Sequence, residues 1–269
     1  MEKFFYFLTH FSFMHNQSNS PVTPTEASGR GLATPVARRS FLRYSGASLA
    51  IGGLLLAGCS DDEDDNVDPN ANLIDVGSGD TGILNYAYAL EQLEAAFYAQ
   101  VVAGDYFKNA ATTNAEKALL SDLRDHEAIH AAFFKAAITS GRITDALVPD
   151  FSGIDFAQRT TAAGSAKLGV LQAAMAFEDL GVAAYNGAGR FISSNDYLTL
   201  AGKIVSVEAR HAAAIRELLE VNSFVKDDVV ELTGNTPRGT ERSKRPPVVL
   251  ETANKFLAAG SKLSARNYA

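Results

Sequence analysis

From residue 81 onward the chain is written largely in a rhythm of three and four residues. In residues 81–103 apolar side chains recur at Leu84, Ala87, Leu90, Ala95 and Val101, a spacing that gathers them on one side of a helix. Asp80 stands where a helix N-cap is expected, and Gly104 follows as a stop. A second helical segment, 114–140, opens on Thr113-Asn114-Ala115-Glu116, the spacing of a capping box, and ends at Gly141. A third covers 165–188 and a fourth 195–221, with Gly189 and Asn222 near their ends. No alternating pattern of comparable length competes with them, so the pattern predicts an all-α fold.

Connection lengths predict the topology. Short links make sequential helices antiparallel neighbours, and the first and last links are short. The middle link, 141–164, carries Pro149 and three glycines and is long enough to return the chain to the other end. The expected architecture is a four-helix bundle with one long middle crossover. Beyond 221 the chain turns polar and rich in Gly and Pro, and 248–259 is expected to form one short helix against the bundle.

Composition narrows the function classes. The 269 residues are 46% hydrophobic and 20% charged, enough for one cored domain with tails and too few for a multidomain machine. The net charge of −7 argues against nucleic acid as a partner. With one cysteine, Cys59, the chain has no internal disulfide and no cysteine-rich zinc site.

The two halves of the predicted bundle repeat one another. Ala89-Leu90-Glu91-Gln92-Leu93 aligns with Ala176-Phe177-Glu178-Asp179-Leu180, and a tyrosine follows each glutamate by seven residues, at Tyr98 and Tyr185. Seven residues is two helical turns, so each Glu shares a helix face with its Tyr. The second and fourth segments repeat too: Glu127-Ala128-Ile129-His130 matches Glu208-Ala209-Arg210-His211, with Glu and His adjacent on the helix surface. Of the three histidines after Cys59, two have a Glu three residues before them. Glu178 also lies in an apolar run, Ala173-Ala174-Met175-Ala176-Phe177 before it and Leu180 and Val182 after it, where an unpartnered carboxylate would be expensive.

In these residues the chain resembles the ferritin-like di-iron carboxylate proteins, specifically the bacterial ferritin-like domain group related to desiccation-associated proteins, over residues 80–221. The resemblance implies that Glu91 and Glu178 are terminal carboxylates, that Glu127 and Glu208 bridge two metals, and that His130 and His211 each ligate one. Oxygen-rich sites with one imidazole per metal suit two iron ions or two manganese ions. Two residues rank second as ligands. Glu94 lies one turn from Glu91, but its counterpart in the other half is Gly181; His126 lies one turn before His130, its counterpart is Val207, and it is equally a candidate for a hydrogen-bonding partner of a ligand or a surface residue. Tyr98 and Tyr185 are the candidate catalytic side chains, as donors to ligating carboxylates or as electron sources.

The N-terminal part reads as an export signal. Arg38-Arg39-Ser40-Phe41-Leu42-Arg43 resembles a twin-arginine signal, and residues 47–58 are uncharged but too short for a membrane span, which needs about 20 residues. Leu56-Ala57-Gly58-Cys59 resembles a bacterial lipobox, which implies a diacylglyceryl group on Cys59 at the mature N-terminus. The acidic run Asp61-Asp62-Glu63-Asp64-Asp65 is then a solvated tether. The expected organisation is a removed segment 1–58, whose first 36 residues suggest a misassigned start; a lipidated tether 59–79; the bundle 80–221; and an extension 222–269. The membrane is an expected partner through the lipid anchor, at the bacterial cell envelope. The expected activity is oxidation of ferrous iron with consumption of dioxygen or peroxide in stress protection. The alternatives are dimanganese disproportionation of peroxide and a non-catalytic metal-stabilised envelope protein. A homo-oligomer fits this organisation, but a 24-subunit cage does not, because the tether and the extension obstruct a shell.

Overall fold

A computed structural model describes residues 72–234 and 238–269, so the export signal, Cys59 and the acidic run lie outside the described residues. Four long helices dominate: α1 (Gly79–Ala103), α2 (Asn114–Ala137), α3 (Val170–Ala188) and α4 (Asn195–Leu219). They pair as two hairpins, α1 against α2 and α3 against α4, joined by the long crossover. A short helix, α5 (Pro246–Ala253), packs on α3 and continues as a 3-10 turn, Asn254–Phe256, so the apolar run expected over 248–259 is helical for only part of its length. Two tiny parallel ladders complete the fold: β1 (Ile74–Asp75) with β4 (Leu263–Ser264), and β2 (Ile154–Asp155) with β3 (Leu168–Gly169). Among the described residues no helix is long and apolar enough to cross a membrane.

Local chemistry explains the helix ends, and in places corrects the sequence reading. The N-cap of α1 is Ser78, and Asp80 lies inside the first turn. The Asp80 carboxylate instead accepts the backbone N–H groups of Ser193 (2.7 Å) and Ser194 (2.8 Å) in the α3–α4 link, a contact that only the folded bundle creates. At α2 the Thr113 side chain accepts the Glu116 N–H, but the Glu116 carboxylate turns to Arg159 (3.0 Å) in the crossover, so the capping box is half made. The third helix begins at Val170 and not at 165, because residues 168–169 are engaged with β2 and the Gln172 side chain accepts the Gly169 N–H (2.9 Å).

The crossover is tied down along its length. Asn85 on α1 donates to the Gly141 carbonyl (2.8 Å) and accepts from the Ile143 N–H, and Gln92 donates to the Thr144 carbonyl. The C-terminal extension also closes on the bundle. Tyr268 donates to the Gly79 carbonyl (2.7 Å) at the start of α1, and a Cβ at Gly82 would lie 2.0 Å from that phenol oxygen, so only glycine admits the contact. Arg216, buried on α4, holds Asp179 on α3 (2.6 Å) and Asp228 in the extension (2.8 Å). This fixes the rotation of α3 immediately beside Glu178. At the end where α1 finishes and α3 begins, the core is an aromatic cluster of Phe97, Phe151, Phe177 and Phe256. The carboxylates lie at mid-height.

Candidate metal centre

Five glutamates project into the middle of the bundle: Glu91 and Glu94 from α1, Glu127 from α2, Glu178 from α3 and Glu208 from α4. All are buried, four of them with no exposed surface. Two imidazoles join them. His130 Nδ1 lies 3.0 Å from Glu208 Oε1 and 3.3 Å from both Glu91 Oε2 and Glu127 Oε2. His211 Nδ1 lies 2.8 Å from Glu127 Oε1 and 3.4 Å from Glu178 Oε2. The result is two groups of potential ligands, Glu91-Glu127-His130-Glu208 and Glu127-Glu178-Glu208-His211, each with its donor atoms within 4.8 Å of one another. Glu127 and Glu208 belong to both.

The tyrosines pair crosswise between the halves. Tyr98 on α1 donates to Glu178 Oε1 on α3 (2.6 Å), and Tyr185 on α3 donates to Glu91 Oε1 on α1. Each hydroxyl thus occupies one oxygen of a carboxylate and leaves the other, Oε2, turned toward a histidine. Gly181, the counterpart of Glu94, makes room for it: a Cβ there would stand 3.1 Å from Glu208 Oε2 and 3.3 Å from Glu94 Oε1.

The profile of the ferritin-like domain family matches residues 79–221, just over half of the chain. The chain belongs to this family. A comparison with curated proteins finds no match.

The two second-ranked ligands of this ferritin-like bundle fall outside both groups. Glu94 is buried beside them, facing Gly181. His126 is exposed; its Nδ1 lies 2.9 Å from His211 Nε2, and the two rings stack at 5.1 Å. Its contact is therefore with the outer nitrogen of His211, leaving Nδ1 to face the carboxylates. The sequence carries no local signal for this contact, since the two histidines are 85 positions apart.

Burial of so many acids shifts their protonation. Burial, together with the neighbouring Glu208, Glu127, Glu91 and Glu178, pushes the Glu94 carboxyl well above the usual range, and Glu208 is pushed well above it by burial and Glu91. Burial raises Glu91 to about 7 despite the nearby His130, and it raises Glu178 despite His211. Glu127 goes the other way: burial acts upward, but the adjacent His130 and His211 imidazoles outweigh it and bring the group down to about 2. Burial alone would lower the imidazoles, yet the surrounding carboxylates lift His130 to about 12 and His211 to about 10. Burial and the nearby acids hold Tyr98 and Tyr185 far above their ordinary value, so both remain hydroxyl donors.

These residues fit a pair of divalent cations. Glu91 Oε2, Glu127 Oε1, Glu178 Oε2, both Glu208 oxygens and His211 Nδ1 are buried without an aligned hydrogen-bond partner, although several lie close to one another. Near approach without alignment is what results when lone pairs converge on common points between them. Buried acceptors left in that state are costly unless something positive joins them. One imidazole and three carboxylates per group is a donor set of the hard-to-borderline kind that suits iron or manganese.

Proposed function

We propose that this ferritin-like protein holds two iron ions in the bundle and oxidises ferrous iron with consumption of dioxygen or peroxide, as a protective activity at the bacterial cell envelope. The observation that carries the reading is that two ligand groups share Glu127 and Glu208, so one pair of carboxylates spans both positions. Bound there, two ferrous ions would supply one electron each, which with two protons reduce dioxygen to hydrogen peroxide, or hydrogen peroxide to two waters.

The protein's own residues prepare that chemistry. Tyr98 and Tyr185 fix the orientation of Glu178 and Glu91, so each presents one oxygen inward. The stacked His126 steadies the ring of His211. Glu94 lies buried beside the two groups, facing Gly181 and Glu208, and places a further carboxyl at the edge of the site. Anchoring at the envelope is supported by the lipobox-like Leu56-Ala57-Gly58-Cys59 and by the acidic run after it.

Protein produced in its native cell and assayed by elemental analysis and stopped-flow absorbance tests the reading. The expected result is about two irons per chain and rapid ferric absorbance on mixing with an oxidant. Two manganese ions with steady oxygen evolution from peroxide would identify disproportionation instead. Ferrous oxidation no faster than in a Glu127→Ala/Glu208→Ala variant would overturn the iron reading, and oxygen evolution from peroxide no faster than in that variant would overturn the manganese one.

A further inference from the structure

One end of the bundle interior contains a cavity separate from the carboxylates, where α1 and α4 begin and α2 and α3 end. It has a volume of about 30 Å³, and its walls present no polar atom. Tyr86, Ala87, Phe134, Tyr185, Ala201 and Ile204 bound it, with Phe133 at a partly exposed edge. A water molecule needs roughly 10–15 Å³ of such space and two to four polar partners, and here it would find the space without the partners. The cavity therefore has room for one diatomic molecule and offers water nothing to bond to.

Its position ties it to the candidate metal centre. The ring of Tyr185 forms one wall, while the hydroxyl of the same residue reaches Glu91. Leu90, adjacent to Glu91, forms another part of the lining. On the far side, Phe134 lies against Tyr185, with ring centroids 6.4 Å apart. A molecule resting here is one side chain away from the carboxylates.

We propose that this cavity is a docking chamber for dioxygen, which makes dioxygen rather than peroxide the oxidant that the bundle is built to receive; the proposal rests on the oxidase reading above. Dioxygen is apolar and partitions favourably from water into a hydrocarbon-lined space. Hydrogen peroxide carries two hydroxyl groups that would lose their hydrogen bonds on entering, so the same walls exclude it. Entry is at the Phe133 edge, and Tyr185 separates the chamber from Glu91.

Xenon, an apolar atom of similar bulk, is the probe. Crystals of metal-free protein pressurised with xenon are expected to show it bounded by Tyr86, Phe134 and Tyr185, and Ala201→Leu should abolish that peak by filling the space. In iron-loaded protein Ala201→Leu should slow reaction with dioxygen several-fold while leaving the rate with peroxide and the iron content unchanged. Ala137→Leu, at another wall of the same cavity, should do likewise and guards against misfolding of the first variant. Absence of xenon from the wild-type cavity, or equal slowing with both oxidants, would overturn the proposal. If neither oxidant reacts with loaded wild-type protein, the oxidase reading fails, while the xenon result still decides whether the chamber takes an apolar guest.

Discussion

Tyr98 and Glu178, 80 positions apart, meet at 2.6 Å in the centre of the bundle, and Tyr185 and Glu91 form the matching pair from the opposite halves. Each helix thus carries a carboxylate for the site and the hydroxyl that orients the other helix's carboxylate. Tyr98→Phe should leave Glu178 Oε1 buried without a donor and destabilise the metal-free fold by about 1–3 kcal/mol, and Tyr185→Phe should do the same through Glu91. Urea unfolding of the metal-free variants measures this. A change within experimental error for both would mean that water, and not tyrosine, satisfies these oxygens.

Sharing of Glu127 and Glu208 predicts unequal effects of ligand removal. Glu127→Ala or Glu208→Ala should lower occupancy at both positions, whereas His130→Ala or His211→Ala should weaken chiefly one, because each imidazole belongs to a single group. Elemental analysis after equilibrium dialysis distinguishes the patterns. Full occupancy in the double glutamate variant would disprove the assignment.

Metal loading should release protons. In the metal-free protein the imidazoles, raised to about 12 and about 10, are charged at neutral pH, and ligation requires both to give up that proton. Affinity should therefore fall as pH falls. Stability of the metal-free form should run the opposite way. Glu91, His130 and His211 all bind protons more tightly in the folded state than in the unfolded chain, so stability declines as pH rises across roughly pH 5 to 9. Thermal melts of both forms across that range should show the gap between them widening with pH. Calorimetric titration in buffers of different ionisation enthalpy counts the protons.

Glu91 and Glu94 stand one turn apart on α1, but only Glu91 has its oxygen within a ligand group. Glu91→Ala should lower metal content far more than Glu94→Ala. Glu91→Leu should lower metal content in the same way and should also destabilise the metal-free fold, because it leaves the buried Tyr185 hydroxyl without its acceptor and takes one carboxylate from His130. Gly181→Ala offers an independent probe: its methyl group would press on Glu208 Oε2 and Glu94 Oε1, and metal affinity should drop without loss of the fold. Retention of metal by Glu91→Ala with loss by Glu94→Ala would move the ligand set by one turn.

At the other end of the chain, Cys59→Ser should shift the protein from the detergent phase to the aqueous phase and remove the mass of the lipid from the mature form. Unchanged partitioning and mass would exclude a lipid at Cys59.

What the sequence determined by itself is whatever depends on neighbours a few residues away. Helical periodicity, the Glu-x-x-His spacing and the repeat of Glu91 with Tyr98 in Glu178 with Tyr185 are local, because one helix turn sets which side chains share a face. Link lengths added the hairpin pairing of the helices and the crossover between them. Contacts between helices were beyond its reach. Same-face spacing places Tyr98 with Glu91 without saying which carboxylate its hydroxyl reaches, and packing delivers it to Glu178 on the facing helix. Asp80 looks like a cap for its own helix and instead binds the link before α4, and of the roles open to His126 the packing shows the contact with the outer nitrogen of His211. The apolar cavity has no sequence signature, since its residues come from four helices and its size depends on how closely Ala87, Ala201 and Tyr185 pack in three dimensions. These features depend on the distance between helix axes and on the rotation of each helix, which only the assembled core decides.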